Sequence, residues 1–174
     1  MLFRSDKRIV FRDPKTLSVE KSVSVPCPGV NHADFSADGN TFVATCEFGG
    51  ALILMDTQKQ ALISKIKLPT TFTKDPMPQD IKLSPDGKTF FIADMMSNGL
   101  WVMPSDHFGS FTFIKTGKDA HGLYVTRDSK FLLITNRGEG SVSELRFADK
   151  KLVAKWKIPG GGSPDMGGIT ADGK

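Results

Sequence analysis

The sequence predicts an all-β fold assembled from four-stranded antiparallel blades, and two observations carry that prediction. The first is a phrase that occurs four times, an apolar segment closed by a tight turn: ADFSADGN over 33–40, DIKLSPDGK over 80–88, GLYVTRDSK over 122–130 and GGITADGK over 167–174. The turn aspartates Asp38, Asp86, Asp128 and Asp172 stand 48, 42 and 44 residues apart, a period at which strand-and-turn units build β-propeller arrays. The second is that the first three phrases are each followed by three more strand-like runs, while no stretch keeps a helical period over a useful length.

Each element has a local cause. In Ser84-Pro85-Asp86-Gly87-Lys88 the proline presets φ, the aspartate bonds its own backbone and the glycine takes the left-handed conformation, so the flanking segments should pair as a hairpin. Ser129 stands where the other copies carry Gly39, Gly87 and Gly173, which predicts a positive φ and a local strain of roughly 1 kcal/mol. Second strands follow as β-branched and aromatic runs over 41–48, 89–95 and 131–136. Glycine-containing turns then lead to third strands over 51–56, 100–103 and 141–147, and polar turns to fourth strands over 61–68, 110–115 and 152–158. The segment before Val30 reads as the end of an earlier blade, with strands over 9–12 and 17–25 around the turn Asp13-Pro14-Lys15. The last phrase, 167–174, falls in the first strand of a further blade.

The expected organisation is therefore the end of a preceding blade over 1–28, a blade over 29–70, an inter-blade loop over 71–78, blades over 79–117 and 118–162, and a first strand over 163–174. That amounts to about four blades of an expected seven, since a seven-bladed ring needs on the order of 300 residues. The chain reads as an incomplete piece of a larger propeller whose apolar strand edges would make it weakly stable or prone to associate. The 23 Lys+Arg and 19 Asp+Glu are spread over turns and strand faces without a basic run, which points away from nucleic acid. No stretch is long and apolar enough to span a membrane.

The SPDGK turn at 84–88, Pro78-Gln79-Asp80, the pair His121-Gly122, NRGEGSVS over 136–143 and SPDMGG over 163–168 resemble the YVTN-repeat β-propellers, in particular YncE-like members. The resemblance implies a seven-bladed propeller exported to the periplasm or cell envelope and acting without an assigned activity. NRGEGSVS also resembles lactonase-type propellers that hydrolyse sugar lactones, and similar blades occur in the cytochrome d1 and nitrous oxide reductase propellers, which carry haem or copper. The YVTN pattern expects Asn or Asp at the end of the second strand; Asp94 and Asn136 meet it, and Cys46 departs from it.

In a propeller the first strand of each blade lines the central channel and begins at one mouth. Counting back from the turn aspartates places Asn31 and His32, Gln79 and Asp80, His121 and Gly122, and Asp165 and Met166 there, with Cys46, Asp94 and Asn136 returning to the same rim. His32, Asp80, His121, Asp165, Asp94 and Asn136 are thus the candidate binding residues, for a small molecule or a protein. Hydrogen bonding at a solvated rim and turn capping account for several of them equally well.

Position 31 lies roughly opposite position 46 in the first hairpin, which brings Cys46 beside His32, with Cys27 just before the strand. Free thiols, a disulfide, or a soft-ligand metal set of Cys27, His32 and Cys46 all remain open. A lactonase would need a base, an electrophilic stabiliser and a cation, roles His121, Arg137 and Glu139 could fill, although turn chemistry also explains the Arg137–Gly140 loop. No GxSxG, HExxH or CxxCH motif is present. The expected function is a non-enzymatic binding or scaffold module without a cofactor; a lactonase and a haem- or copper-associated redox propeller are the alternatives.

Overall fold

The computed structural model describes residues 7–70 and 75–173. Residues 1–6, residues 71–74 of the expected inter-blade loop and Lys174 of the fourth phrase lie outside the described residues. Within them fourteen strands form four antiparallel sheets. β1 (Arg8–Arg12) and β2 (Val19–Ser24) make a two-stranded ribbon. The first blade is β3 (Val30–Phe35), β4 (Thr41–Cys46), β5 (Ala51–Asp56) and β6 (Ala61–Lys67). The second is β7 (Pro78–Leu83), β8 (Thr89–Asp94), β9 (Gly99–Pro104) and β10 (Thr112–Lys115), and the third β11 (Ala120–Val125), β12 (Phe131–Asn136), β13 (Ser141–Arg146) and β14 (Lys151–Lys157). Every blade is a simple meander in chain order, and β7 packs beside both β3 and β11.

The repeated turn is built the same way each time. Ser36 Oγ, Ser84 Oγ and Thr126 Oγ1 donate to Asp38, Asp86 and Asp128 at 2.5, 2.6 and 2.7 Å and accept the backbone N–H of Thr41, Thr89 and Phe131. These hydroxyl bonds, with backbone N–H bonds from the residue two further on, hold all three carboxyls below the usual carboxylate range. Ser129 has φ +60°, beside +71° at Gly39 and +73° at Gly87. Ser129→Gly is expected to stabilise the chain by about 1 kcal/mol, because glycine occupies that region without the side-chain clash. A shift of the urea midpoint to higher concentration checks it; an unchanged or lower midpoint refutes it.

Apolar side chains fill the seams between sheets. Between the first and second blades lie Val43, Leu52, Leu54, Ile81, Phe90, Ile92 and Trp101, with Phe113 and Phe111 packed on the indole at ring separations of 4.8 and 6.1 Å. The other face of the second blade (Phe91, Leu100, Val102) packs on Leu123, Leu132, Ile134 and Leu145 of the third. The second blade is thus covered on both faces, which is why every residue of β8 is buried. Ile9, Phe11, Val23 and Val25 close the seam between the ribbon and the first blade.

The structure departs from two sequence expectations here. Residues 167–170 form no strand: within the described residues no strand pairs with them, although their turn is present, with Thr170 Oγ1 on Asp172 Oδ1 at 2.7 Å. They are fastened instead by side chains of the third blade, the Arg127 guanidinium donating to the carbonyls of Ile169 and Thr170. The second departure concerns the cysteines. Cys27 and Cys46 are disulfide-bonded with Cα atoms 5.1 Å apart, so neither free thiols nor a thiolate pair for a metal with His32 exists. The loop carrying Cys27 is held over the end of β4 by Glu47 N–H to Gly29 O and Phe48 N–H to Pro28 O, and both sulfurs are sealed in the seam.

Candidate functional site

A β-bulge opens every first strand. Pairing runs from Val30↔Cys46 to Ala33↔Ala44, from Pro78↔Asp94 to Ile81↔Ile92 and from Ala120↔Asn136 to Leu123↔Ile134, so two residues stand opposite one in each blade. The bulged pairs are Asn31-His32, Gln79-Asp80 and His121-Gly122. A bulge twists the strand and re-aims its side chains, here at the channel mouth. It also corrects the expected register: Val30, not Asn31, faces Cys46, which turns Cys46 into the core and away from His32.

Two latches fix the bulges. Thr45 Oγ1 accepts the N–H of His32 at 3.1 Å and donates to Gln79 O of the next blade at 2.7 Å. Thr135 Oγ1 accepts the N–H of Gly122 at 2.7 Å and donates to Asp165 O at 3.0 Å. Asp165 therefore sits against the third blade as Gln79 sits against the first. In the second blade the equivalent position is Ala93, and Asp80 substitutes by accepting Leu123 N–H at 2.9 Å with Oδ2.

Equivalent positions in adjacent copies meet. Asn31 Nδ2 donates to Gln79 Oε1 at 3.3 Å, and His121 Nδ1 lies 2.8 Å from Asp165 Oδ1, close but not aligned for a hydrogen bond. Arg137 Nη1 approaches the other Asp165 oxygen at 3.8 Å. His32 Nδ1 and Lys82 Nζ stand 3.7 and 3.8 Å from Asp80 Oδ1. His121 is 5% exposed. Burial, which penalises the imidazolium, pushes its pKa below 6.5; Arg137 and His32 add to this, and Asp165 and Asp80 oppose it. Near neutral pH the mouth therefore holds a neutral imidazole against the Asp165 side chain, whose other oxygen faces the Arg137 guanidinium.

The structure brings His32, Asp80, His121, Asp165 and Arg137 to one mouth and sends Asp94, Asn136 and Glu139 elsewhere. Asp94 is fully buried and accepts the N–H of Met77 (2.9 Å), Met96 (3.1 Å) and Ser97 (3.3 Å), Ser97 Oγ (2.7 Å) and Trp101 Nε1 (2.8 Å). Asn136, also fully buried, bonds Thr116, Ser141 and Ser143. Each ties the segment leading into its own blade to that blade's later residues, Asp94 joining Met77 to Ser97 and Trp101 and Asn136 joining Thr116 to Ser141 and Ser143, and neither offers a free polar atom to a ligand. Glu139 is drawn away from His121 and Arg137: Lys155 Nζ (2.8 Å), Ser141 Oγ (2.6 Å) and Lys118 N (3.0 Å) bind its carboxylate. Burial pushes that carboxyl up, but these three donors outweigh it and bring the pKa to about 2.

Lys82 and Tyr124 join the mouth without having been anticipated. They lie two residues after Asp80 and Gly122, and strand alternation would have placed them on the same face. The Tyr124 hydroxyl accepts Gly167 N–H at 2.5 Å and lies 3.9 Å from Met166 Sδ. Among the described residues no three His, Cys, Asp or Glu side chains converge to hold a metal ion.

No protein-family model matches the chain, and comparison with curated proteins finds no match. Solved structures do match. The dihydro-heme d1 dehydrogenase NirN in complex with DHE is 17% identical at TM-score 0.74, over 88% of this chain and 33% of that one. A catalytically inactive virginiamycin B lyase from Staphylococcus aureus with quinupristin is 16% identical at TM-score 0.73, over 88% and 50%. The Pseudomonas aeruginosa periplasmic gluconolactonase PpgL is 20% identical at TM-score 0.68, over 83% and 44%. The chain thus spans between a third and a half of the length of each of these β-propellers. At such identities the likeness speaks for the fold alone, and with the blades described above it identifies the chain as a β-propeller.

Proposed function

We propose that the protein is a binding module of the YVTN/YncE-like type that works without catalysing a reaction and takes a ligand, a small molecule or a segment of a protein, at the channel mouth. The observation that carries this reading is the buried, neutral His121, whose Nδ1 has no aligned hydrogen-bond partner while Asp165 and Arg137 stand beside it. An under-satisfied buried polar atom beside charged side chains favours a bound partner. The Cys27–Cys46 disulfide supports an oxidising location, the periplasm or cell envelope.

A second reading, hydrolysis of sugar lactones, is favoured by the proximity of His121 and Arg137 through Asp165. Against it, Glu139 is committed to Lys155, Ser141 and Lys118 and does not complete a catalytic set with them. A copper-associated role would call for converging ligands, and among the described residues no three His, Cys, Asp or Glu side chains converge.

Two assays separate the readings. Titration of the full chain with a panel of amino acids, short peptides and neutral sugars is expected to find a ligand whose thermal shift disappears in His121→Ala. In a pH-stat, glucono-δ-lactone is expected to hydrolyse at the same rate with the wild type, with His121→Ala and without protein. Lactone turnover abolished by His121→Ala would establish the hydrolase instead.

A further inference from the structure

A polar cavity opens on the same face as the mouth, in the seam between the second and third blades. It encloses about 360 Å³ and is lined by Met96 and Asn98 of the β8–β9 turn, Lys115, Thr116, Gly117, Lys118 and Asp119 of the β10–β11 connection, and Glu139 and Lys155 of the third blade. The size suits a ligand of sugar-acid dimensions.

Its charges resolve into one internal pair and an excess. Glu139 and Lys155 neutralise each other at 2.8 Å, and the low pKa of Glu139 keeps it ionised. Lys115 and Lys118 form no ion pair among the described residues, and Asp119 alone opposes them, which leaves one net positive charge. The neutral groups have direction as well. Asn98 Oδ1 accepts Asp119 N–H at 2.9 Å, so the donor end of that amide stays free, whereas the Thr116 hydroxyl is spent on Asn136. The floor is closely fitted: a Cβ on Gly117 would run into the Asn136 amide and the Glu139 carboxylate.

We propose that this cavity is a second binding site, separate from the mouth, for a small hydroxylated oxyanion, either a sugar-acid carboxylate or a phosphate ester. The oxyanion is taken by Lys115 and Lys118 through charge-assisted bonds. The hydroxyl groups are read by the Asn98 amide as donor and the Asp119 carboxylate as acceptor. Two lysines with one carboxylate between them favour a single anionic group carried on a hydroxylated body over a bare polyanion.

Isothermal titration of the full chain at low salt, with gluconate, glucose 6-phosphate, inorganic phosphate and glucose as probes, tests the site. Gluconate or glucose 6-phosphate is expected to bind, whichever binds more tightly naming the source of the oxyanion, with inorganic phosphate weaker and glucose silent. The Lys115→Gln/Lys118→Gln double variant is expected to weaken binding about tenfold. His121→Ala is expected to leave it unchanged, so failure here is distinct from failure of the mouth reading. Both lysines are exposed, and an unchanged urea midpoint will show that the double variant folds. No binding by gluconate or glucose 6-phosphate, binding that survives the double substitution, or inorganic phosphate binding as tightly as both would overturn the proposal.

Discussion

Asp94→Ala is expected to destabilise the chain by about 3–4 kcal/mol, the largest effect of any single polar substitution outside the mouth. The carboxylate gathers five donors from three places: the segment entering β7, the β8–β9 turn and the indole of Trp101. Removing it strands the Trp101 N–H and the Ser97 N–H among buried side chains, and each orphaned donor costs about 1–3 kcal/mol. Asp94→Asn keeps the volume and one acceptor, so it should lie between wild type and alanine. Urea unfolding of the three proteins checks the order; an alanine variant within about 0.5 kcal/mol of wild type would show that the network contributes nothing net.

Removing the disulfide is expected to cost about 3 kcal/mol, the value for a loop closed by residues 19 apart in sequence. Reduction of the wild type and the Cys27→Ala/Cys46→Ala double variant should lower the urea midpoint by similar amounts. The β1–β2 ribbon should loosen first, since its seam with the first blade is where the bond sits. Alkylation without reductant is expected to label neither cysteine. Full labelling together with a midpoint insensitive to reductant would mean that the pair is not formed, and the argument for an oxidising compartment would go with it.

Much of the architecture is legible in the sequence because it is written in short-range chemistry. The hydroxyl-x-Asp turn at Ser36-Asp38, Ser84-Asp86 and Thr126-Asp128 recurs with its own hydrogen bonds, and its phase places His32, Asp80, His121 and Asp165 together. What stays hidden depends on register and distant partners. The bulge opposite Thr45 moves Cys46 out of the mouth, yet no residue type in 30–33 announces it. Glu139 is claimed by Lys155, which arrives two strands later and cannot be read from the Arg137–Gly140 loop. Residues 167–170 carry a strand-like pattern, but a strand also needs a ladder partner, which the pattern cannot supply.

The bulge at the head of each first strand has a consequence for how such a molecule can acquire new partners. The bulged residues stand outside the regular ladder, so their side chains can change without moving the apolar alternation that begins at Ala33, Ile81 and Leu123. Within this one chain the equivalent bulged positions already hold Asn31, Gln79 and His121, three different chemistries on one unchanged scaffold. Specificity and foldability thereby rest on largely separate residues, with Asp80, which also latches Leu123, and the closely fitted Gly122 as the exceptions.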